Sequence, residues 1–295
     1  MAAPAAIRVR CPAKVNLGLW VLGRRADGYH EIDTIMQAVT LEDELTLEPA
    51  PEGFALDTQG IPIPPNGPNL VERAWDLISE RASGSKFRGI RARLTKRIPI
   101  GAGLGGGSSD AAGLLAGVNR LLALGLTKAE LQSLGARVGS DVPFFFEGGT
   151  ARATGRGEKV RQLCPIEPFW AVLASPPIAI STTWAYGRIR FCLTPESGGA
   201  TLLASAIGSR EWGAVADAMH NVFEDVVLPE FPSLAELKRS LIGCGAVTAL
   251  LSGSGSTLYG VVRSFDEAMR AAKGIAGRGA EVRVVKTLER GVYVA

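Results

Sequence analysis

From Ile7 to Arg25 the stretch IRVRCPAKVNLGLWVLGRR alternates apolar and polar positions, the two-residue period of β-strands. A turn signal at Asp27 and Gly28 interrupts it, and EIDTIMQAVTLEDELTLEP resumes a strand pattern rich in Thr, Val, Ile and Leu. The period then changes. In PNLVERAWDLISERA the apolar residues Leu70, Val71, Ala74, Trp75 and Ile78 recur at helical spacing. FRGIRARLTKRIP alternates again and stops at Pro99.

A glycine-rich stretch follows, and then SDAAGLLAGVNRLLALG predicts a helix from about Ser109 that Gly125 stops. Thr127 and Glu130 form a capping-box pattern for a second helix, KAELQSLGARVG. SDVPFFFEGGTARATGRGEKV predicts a turn at Pro143, an aromatic strand and a glycine-punctuated hairpin. CPIEPFW, near residue 165, has the composition of a boundary. Beyond it the pattern gives a strand in FWAVLASP, helices over 199–208, 211–219 and 232–242, and two strands around a Gly/Ser turn in AVTALLSGSGSTLYGVVRS. A helix in FDEAMRAAKGIAG and a strand in AEVRVVKTL complete the order. The expectation is an α+β protein of two domains, residues 1–165 and 166–295.

Composition narrows the partners. A net charge of +3 with no Lys/Arg cluster argues against nucleic acid, while leaving anionic small molecules open. No apolar run reaches about 18 residues, so no membrane span is expected. Arg8 and Arg10 interrupt the place where an export signal would be apolar. The cysteines, Cys11, Cys164, Cys192 and Cys244, are scattered without a Cys-x-x-Cys pair, which fits reduced thiols in a cytoplasmic protein. His30 and His220 are the only histidines, so a His-rich metal site is not expected.

The stretch PIGAGLGGGSSDAAG, residues 99–113, sets five glycines within 101–107 directly before a helix. It reads as a flexible linker, as a dinucleotide fingerprint or as a phosphate cradle. A linker would leave more slack between strand and helix. Gly101, Gly103 and Gly106 satisfy G-x-G-x-x-G, but a second helix stands where that fingerprint needs a parallel strand. As a Walker loop it fails too, because Gly107 replaces the lysine. A cradle of another design keeps the physics. Glycines let backbone N–H groups approach an anion, the helix N-terminus favours negative charge, and Ser108 and Ser109 add hydroxyls or an N-cap. The missing cation must then come from elsewhere in the fold or from Mg²⁺.

PIGAGLGGGSSDAA resembles the glycine signature of the GHMP kinases, the family of galactokinase, homoserine kinase and mevalonate kinase. PAKVNLGLWVLGRRADGYHEI and LLSGSGSTLYGVV resemble its N-terminal and C-terminal motifs, in the right order, so the resemblance spans residues 11–262. It implies an N-terminal domain like ribosomal protein S5 domain 2, a ferredoxin-like C-terminal domain, and an active site in the cleft between them. It implies ATP and Mg²⁺, and a monomer or homodimer acting on a small molecule. DGYH and G-x-DVPFF point to the branch that phosphorylates a cytidine-diphosphate-linked methylerythritol. Asp110 stands where many relatives have Ala or Asn. An acid in the first helical turn suits the dipole but lies close to phosphate.

What the resemblance implies for single residues stands beside a plainer reading of each. Asp141 would be the base for the acceptor hydroxyl, or else a turn acid before Pro143. Lys14 would pair with Asp141 and touch the transferring phosphate, or else be an exposed strand lysine. Asn16 shares a strand face with Lys14 and would help hold substrate. His30 would read the cytosine with Tyr29 packed nearby, or else be a solvated loop residue. Thr182 and Tyr186 would line the same pocket, with core packing the alternative for Tyr186. The resemblance assigns ATP binding to Pro99, Ile100, Gly101, Ala102, Gly103, Leu104, Gly105, Gly106, Gly107, Ser108 and Ser109. Asn69 and Lys96 would lie near the adenosine, or else be a helix cap and a surface lysine. Ser252 to Thr257 would reach the cleft and the substrate diphosphate, or else form a plain hairpin turn. A binding module that has lost its chemistry is the rival from another class, and the presence of both Lys14 and Asp141 speaks against it.

Overall fold

A computed structural model describes residues 6–64, 69–81, 88–189 and 198–295. Cys192, and the Pro68 and Phe87 that open two of the predicted elements, lie outside the described residues.

The alternating N-terminal pattern becomes two long strands, β1 (Ile7–Arg24) and β2 (His30–Ala50), paired antiparallel along nearly their whole length. β3 (Glu52–Gly60), α1 (Leu70–Ser79) and β4 (Arg88–Lys96) follow. Then come α2 (Gly106–Leu121), α3 (Lys128–Val138), α4 (Phe144–Glu147), β5 (Thr150–Gly155) and β6 (Lys159–Gln162). The helical spacing of α1 buries Val71, Ala74, Trp75 and Ile78, the residues that carried the prediction. Thr127 and Glu130 make both bonds of a capping box on α3.

The second half runs β7 (Trp170–Ser175), α5 (Thr182–Arg188), α6 (Gly199–Ser209), α7 (Trp212–Ala218), β8 (His220–Asn221) and α8 (Glu224–Glu230). It ends with α9 (Pro232–Gly243), β9 (Thr248–Leu251), β10 (Leu258–Val262), α10 (Phe265–Ile275), β11 (Glu281–Lys286) and β12 (Tyr293–Val294).

The first sheet has the order β12-β1-β2-β4-β3, with β5 on β2, β6 on β5 and β8 on β1. The second is antiparallel throughout, in the order β11-β7-β10-β9. Its strands and α10 follow the β-α-β-β-α-β order of a ferredoxin-like unit. β8 and β12 belong to the second half of the chain yet pair with β1, so the chain crosses between the layers more than once.

Two local expectations are corrected. Phe144–Glu147 is a helical turn, not an aromatic strand. Pro143 sits before it in right-handed helical backbone, and Phe144 and Phe145 are fully buried. A three-residue apolar run carries no period that separates strand from helix. The helix after the glycines starts at Gly106, not near Ser109. Its N-cap is Gly105 at φ 71°, and no side chain caps it. Neither Ser108 nor Ser109 is therefore the cap. Asp110 lies past the first turn, where the dipole argument for it lapses. Among the described residues no helix is long and apolar enough to cross a membrane. Cys11, Cys164 and Cys244 are free thiols.

Candidate active site

β1 supplies the site's cation. Alternation within a strand covered on both faces buries Ala13, Val15 and Leu17 on one side and Lys14 and Asn16 on the other. The Lys14 ammonium donates to Asn16 Oδ1 at 2.6 Å and lies 3.7 Å from Asp141 Oδ2. Burial lowers the Lys14 pKa, and the facing Asp141 charge offsets that in part. Asn16 is fixed in turn. Its Oδ1 also accepts from the Gly253 amide at 2.9 Å, and its Nδ2 donates to Thr34 Oγ at 2.8 Å. The Tyr259 hydroxyl donates to the Asn16 carbonyl at 2.7 Å. Asn16 thus acts first on the protein, holding Lys14 and the second glycine motif together.

Asp141 lies in the turn between α3 and α4, with its side chain about a third exposed (36%). It is the one carboxylate lining the main cavity, among the described residues. A buried ammonium beside a half-open carboxylate can orient a hydroxyl, accept its proton and steady developing negative charge.

The two glycine motifs meet at this point. Ser252 Oγ donates to the Gly103 carbonyl at 2.9 Å, and the Thr257 amide donates to the Ala102 carbonyl at 3.2 Å. Gly103 has φ 79°, and a Cβ there would overlap the Ser252 carbonyl. The Ser252–Thr257 turn is closed by a Ser252 amide to Thr257 carbonyl bond, and Asn221 holds it from behind through the Leu251 and Gly253 carbonyls. Ala102 and Leu104 were expected among the ATP contacts, but their side chains are buried in the protein. Only their backbone can face a ligand. Pro99, Ile100 and Gly101 form the entry to the turn, with Ile100 and Gly101 exposed. Gly106, Gly107, Ser108 and Ser109 make the first helical turn. The Ser109 amide donates to the Gly105 carbonyl at 2.9 Å, so the amides of Gly106, Gly107 and Ser108 are the ones left without an intrahelical acceptor, as anion binding requires.

Lys96 is not a surface lysine. It is buried beneath this turn, with its ammonium bound to Asp43 and, at 2.7 Å, to Asp110 Oδ2. Asp43 Oδ1 also accepts from the Arg97 and Ile98 amides, at 2.5 and 2.9 Å. The cluster ties β2, the end of β4 and α2 together at the loop's root. Burial raises the Asp110 pKa, Lys96 pulls against this, and Asp43 adds to the rise. Burial works against the Lys96 charge, but Asp110 and Asp43 outweigh it and raise its pKa. Ser109 Oγ and Asp110 Oδ1 are buried without a hydrogen-bond partner among the described residues. Asn69 is the N-cap of α1, accepting from the Val71 amide at 3.0 Å. The next residue, Leu70, lies against Gly107.

The far end of the cavity is aromatic. His30 and Tyr186 stack with ring centroids 4.7 Å apart, and Phe223 meets Tyr186 edge-on. Partial burial and then the Arg24 charge lower the His30 pKa, which favours the uncharged ring. Thr182 shares a hydrogen bond with Ser254 Oγ at 3.1 Å. Tyr29 is 53% exposed beside them. Lys14, Asp141, His30, Tyr186 and Thr182 line one cavity of about 690 Å³. Asn69, Lys96 and Ser109 do not line it. The sequence reading missed Thr34, Asn221, Phe223 and Arg156.

Residues 69–149 match the family "GHMP kinases N terminal domain", and residues 203–280 match "GHMP kinases C terminal". The chain belongs to the GHMP kinases and is an ATP-dependent small-molecule kinase. Its relatives are more specific. The 4-diphosphocytidyl-2-C-methyl-D-erythritol kinase of Pelotomaculum thermopropionicum is 40% identical over 93% of this chain and 96% of its own. The enzyme of the same name from Symbiobacterium thermophilum is 41% identical over 96% and 100%. A crystal structure of 4-(cytidine 5'-diphospho)-2C-methyl-D-erythritol kinase is 35% identical, covers 95% of this chain and 99% of its own, and superposes with a TM-score of 0.80. The homoserine kinase of Cytophaga hutchinsonii, at 19% identity and TM-score 0.79, shares the fold.

Proposed function

We propose that this kinase transfers the γ-phosphoryl group of ATP to the 2-hydroxyl of 4-diphosphocytidyl-2-C-methyl-D-erythritol, a step of the non-mevalonate route to isoprenoids. The observation that carries the reading is a single cavity with the Lys14–Asp141 pair at one end and the His30–Tyr186 aromatic pair at the other. The cytosine stacks at the aromatic end, beside the His30 and Tyr186 rings. The acceptor hydroxyl then lies at Asp141, which takes its proton as the phosphoryl group transfers. Lys14 holds the carboxylate in place and faces the charge that builds on the phosphate. The free N–H groups of Gly106, Gly107 and Ser108 receive the ATP phosphates.

Mg²⁺ fits as a companion of the nucleotide. The described residues hold no cluster of three metal-ligating side chains, so the phosphates and water would supply most of its oxygen ligands. The Ser108 hydroxyl, on the first turn of α2, would be a side-chain oxygen available to it. Bound, the ion would neutralise charge on the phosphates.

Relatives of the same fold that act on homoserine or mevalonate have no base to read, so the aromatic end separates the readings. Purified protein with ATP and Mg²⁺ is expected to release ADP with the cytidine-linked substrate and not with mevalonate or homoserine. Release with mevalonate alone would sink the assignment.

A further inference from the structure

The β5–β6 turn brings one more cation to the cavity. Arg156 lines it, and its guanidinium carbon lies 4.7 Å from the centroid of the Tyr29 ring. The backbone beneath is fixed, because the Glu158 carboxylate accepts from the Arg156 amide at 2.6 Å. The adjoining Gly157 packs on the turn that carries the catalytic carboxylate. A Cβ there would sit 3.6 Å from Ser140 Cβ and 3.7 Å from Asp141 Oδ1. Arg156 therefore stands between the reacting end and the aromatic end. The Asp27 carboxylate, held by Arg25, also feels the Arg156 charge. Among the described residues Arg156 itself makes no salt bridge within 4.0 Å.

The cavity's other two cations are placed differently. Lys14 is committed to Asn16 and Asp141. Arg24 is exposed beside His30. A substrate with its base on His30 and Tyr186 and its hydroxyl at Asp141 must run its diphosphate between those ends. A stacked, half-buried guanidinium whose N–H donors have no side-chain acceptor among the described residues suits a diphosphate there, since its planar fork matches phosphate oxygens.

We infer that Arg156, braced on Tyr29, binds the diphosphate of the acceptor substrate and makes the enzyme distinguish a cytidine diphosphate from a neutral nucleoside. This rests on the function proposed above. It makes Arg156 a specificity residue that touches substrate, not a participant in proton transfer.

Binding of CDP and of cytidine, by calorimetry, together with steady-state kinetics, tests it. The wild type should prefer CDP to cytidine by about ten- to a hundredfold, the size of a hydrogen-bonded charge contact. R156Q should abolish most of that preference and raise the KM for the cytidine-linked substrate by a similar factor. Its kcat and its KM for ATP should stay near wild type. R156K, which keeps charge but loses the fork, should fall between. R24Q is the control. A CDP preference that survives R156Q, or that R24Q abolishes instead, overturns the role of Arg156 alone. A wild type that neither binds CDP nor turns over the cytidine-linked substrate overturns the proposed function as well.

Discussion

The two ends of the cavity are built on opposite principles. At the phosphate end Lys14, Asn16, Ser252 and Thr257 are buried, and every link between them is a hydrogen bond to protein. At the base end Tyr29 and Arg24 are exposed, and ring contacts join His30 to Tyr186 and Arg156 to Tyr29. On the function proposed above, the contrast follows from what each end would meet. Charge that develops during phosphoryl transfer is stabilised by groups that need no rearrangement at that moment. A base must enter, be recognised and leave, so its walls can be more open and hydrogen-bonded more sparsely.

The sharpest way to break this contrast is to alter the phosphate end chemically while leaving its shape. Asp141→Asn should lower kcat by about 10²–10⁴-fold, the usual worth of a general base. Equilibrium binding of ATP should remain, and nearly unchanged turnover would remove Asp141 as the base. Lys96→Met strips the cation from two buried carboxylates and should cost about 3–5 kcal/mol of stability in chemical denaturation. A loss below about 1 kcal/mol would mean that the cluster does not anchor the loop. At the open end the effect should be smaller and confined to one substrate. His30→Ala should raise the KM for the cytidine-linked substrate by about tenfold, as loss of one stacked base contact implies, with the KM for ATP unmoved.

The smallest effect is a pH slope. Asp110 holds its proton more tightly in the folded chain than in the unfolded one. Its contribution to stability is therefore greatest in acid and declines as pH rises above the ordinary carboxylate range. Asp110→Asn should flatten that decline in melting temperature between acid and neutral pH. A slope identical to wild type would show that Asp110 is ionised throughout.

Much of this was legible where the signal is local. The spacing of Leu70 to Ile78 gave α1, and Thr127 with Glu130 gave the start of α3. The glycine motif marked the helix N-terminus, although a glycine N-cap carries no side-chain signal and the start was placed three residues late. Partners far apart in the chain were not legible. Asp43 and Lys96 are 53 positions apart, and nothing local joins them. The burial of Lys96 did have a trace. Ile90, Ala92 and Leu94 alternate to the inside, and Lys96 and Ile98 continue the same face. A lysine in an inward register is a buried lysine in search of carboxylates. Arg156 had no such trace, because a turn residue faces whatever the fold brings opposite it.

The contact between the two glycine loops also bears on how such a protein can change over generations. A side chain at Gly103 would need the Ser252 carbonyl to retreat. That movement would shift Gly253, whose amide binds the Asn16 carboxamide that also receives Lys14. Neither loop can drift by itself without disturbing the Lys14 ammonium. Heritable variation along this seam should arrive as paired changes, one in each half of the chain.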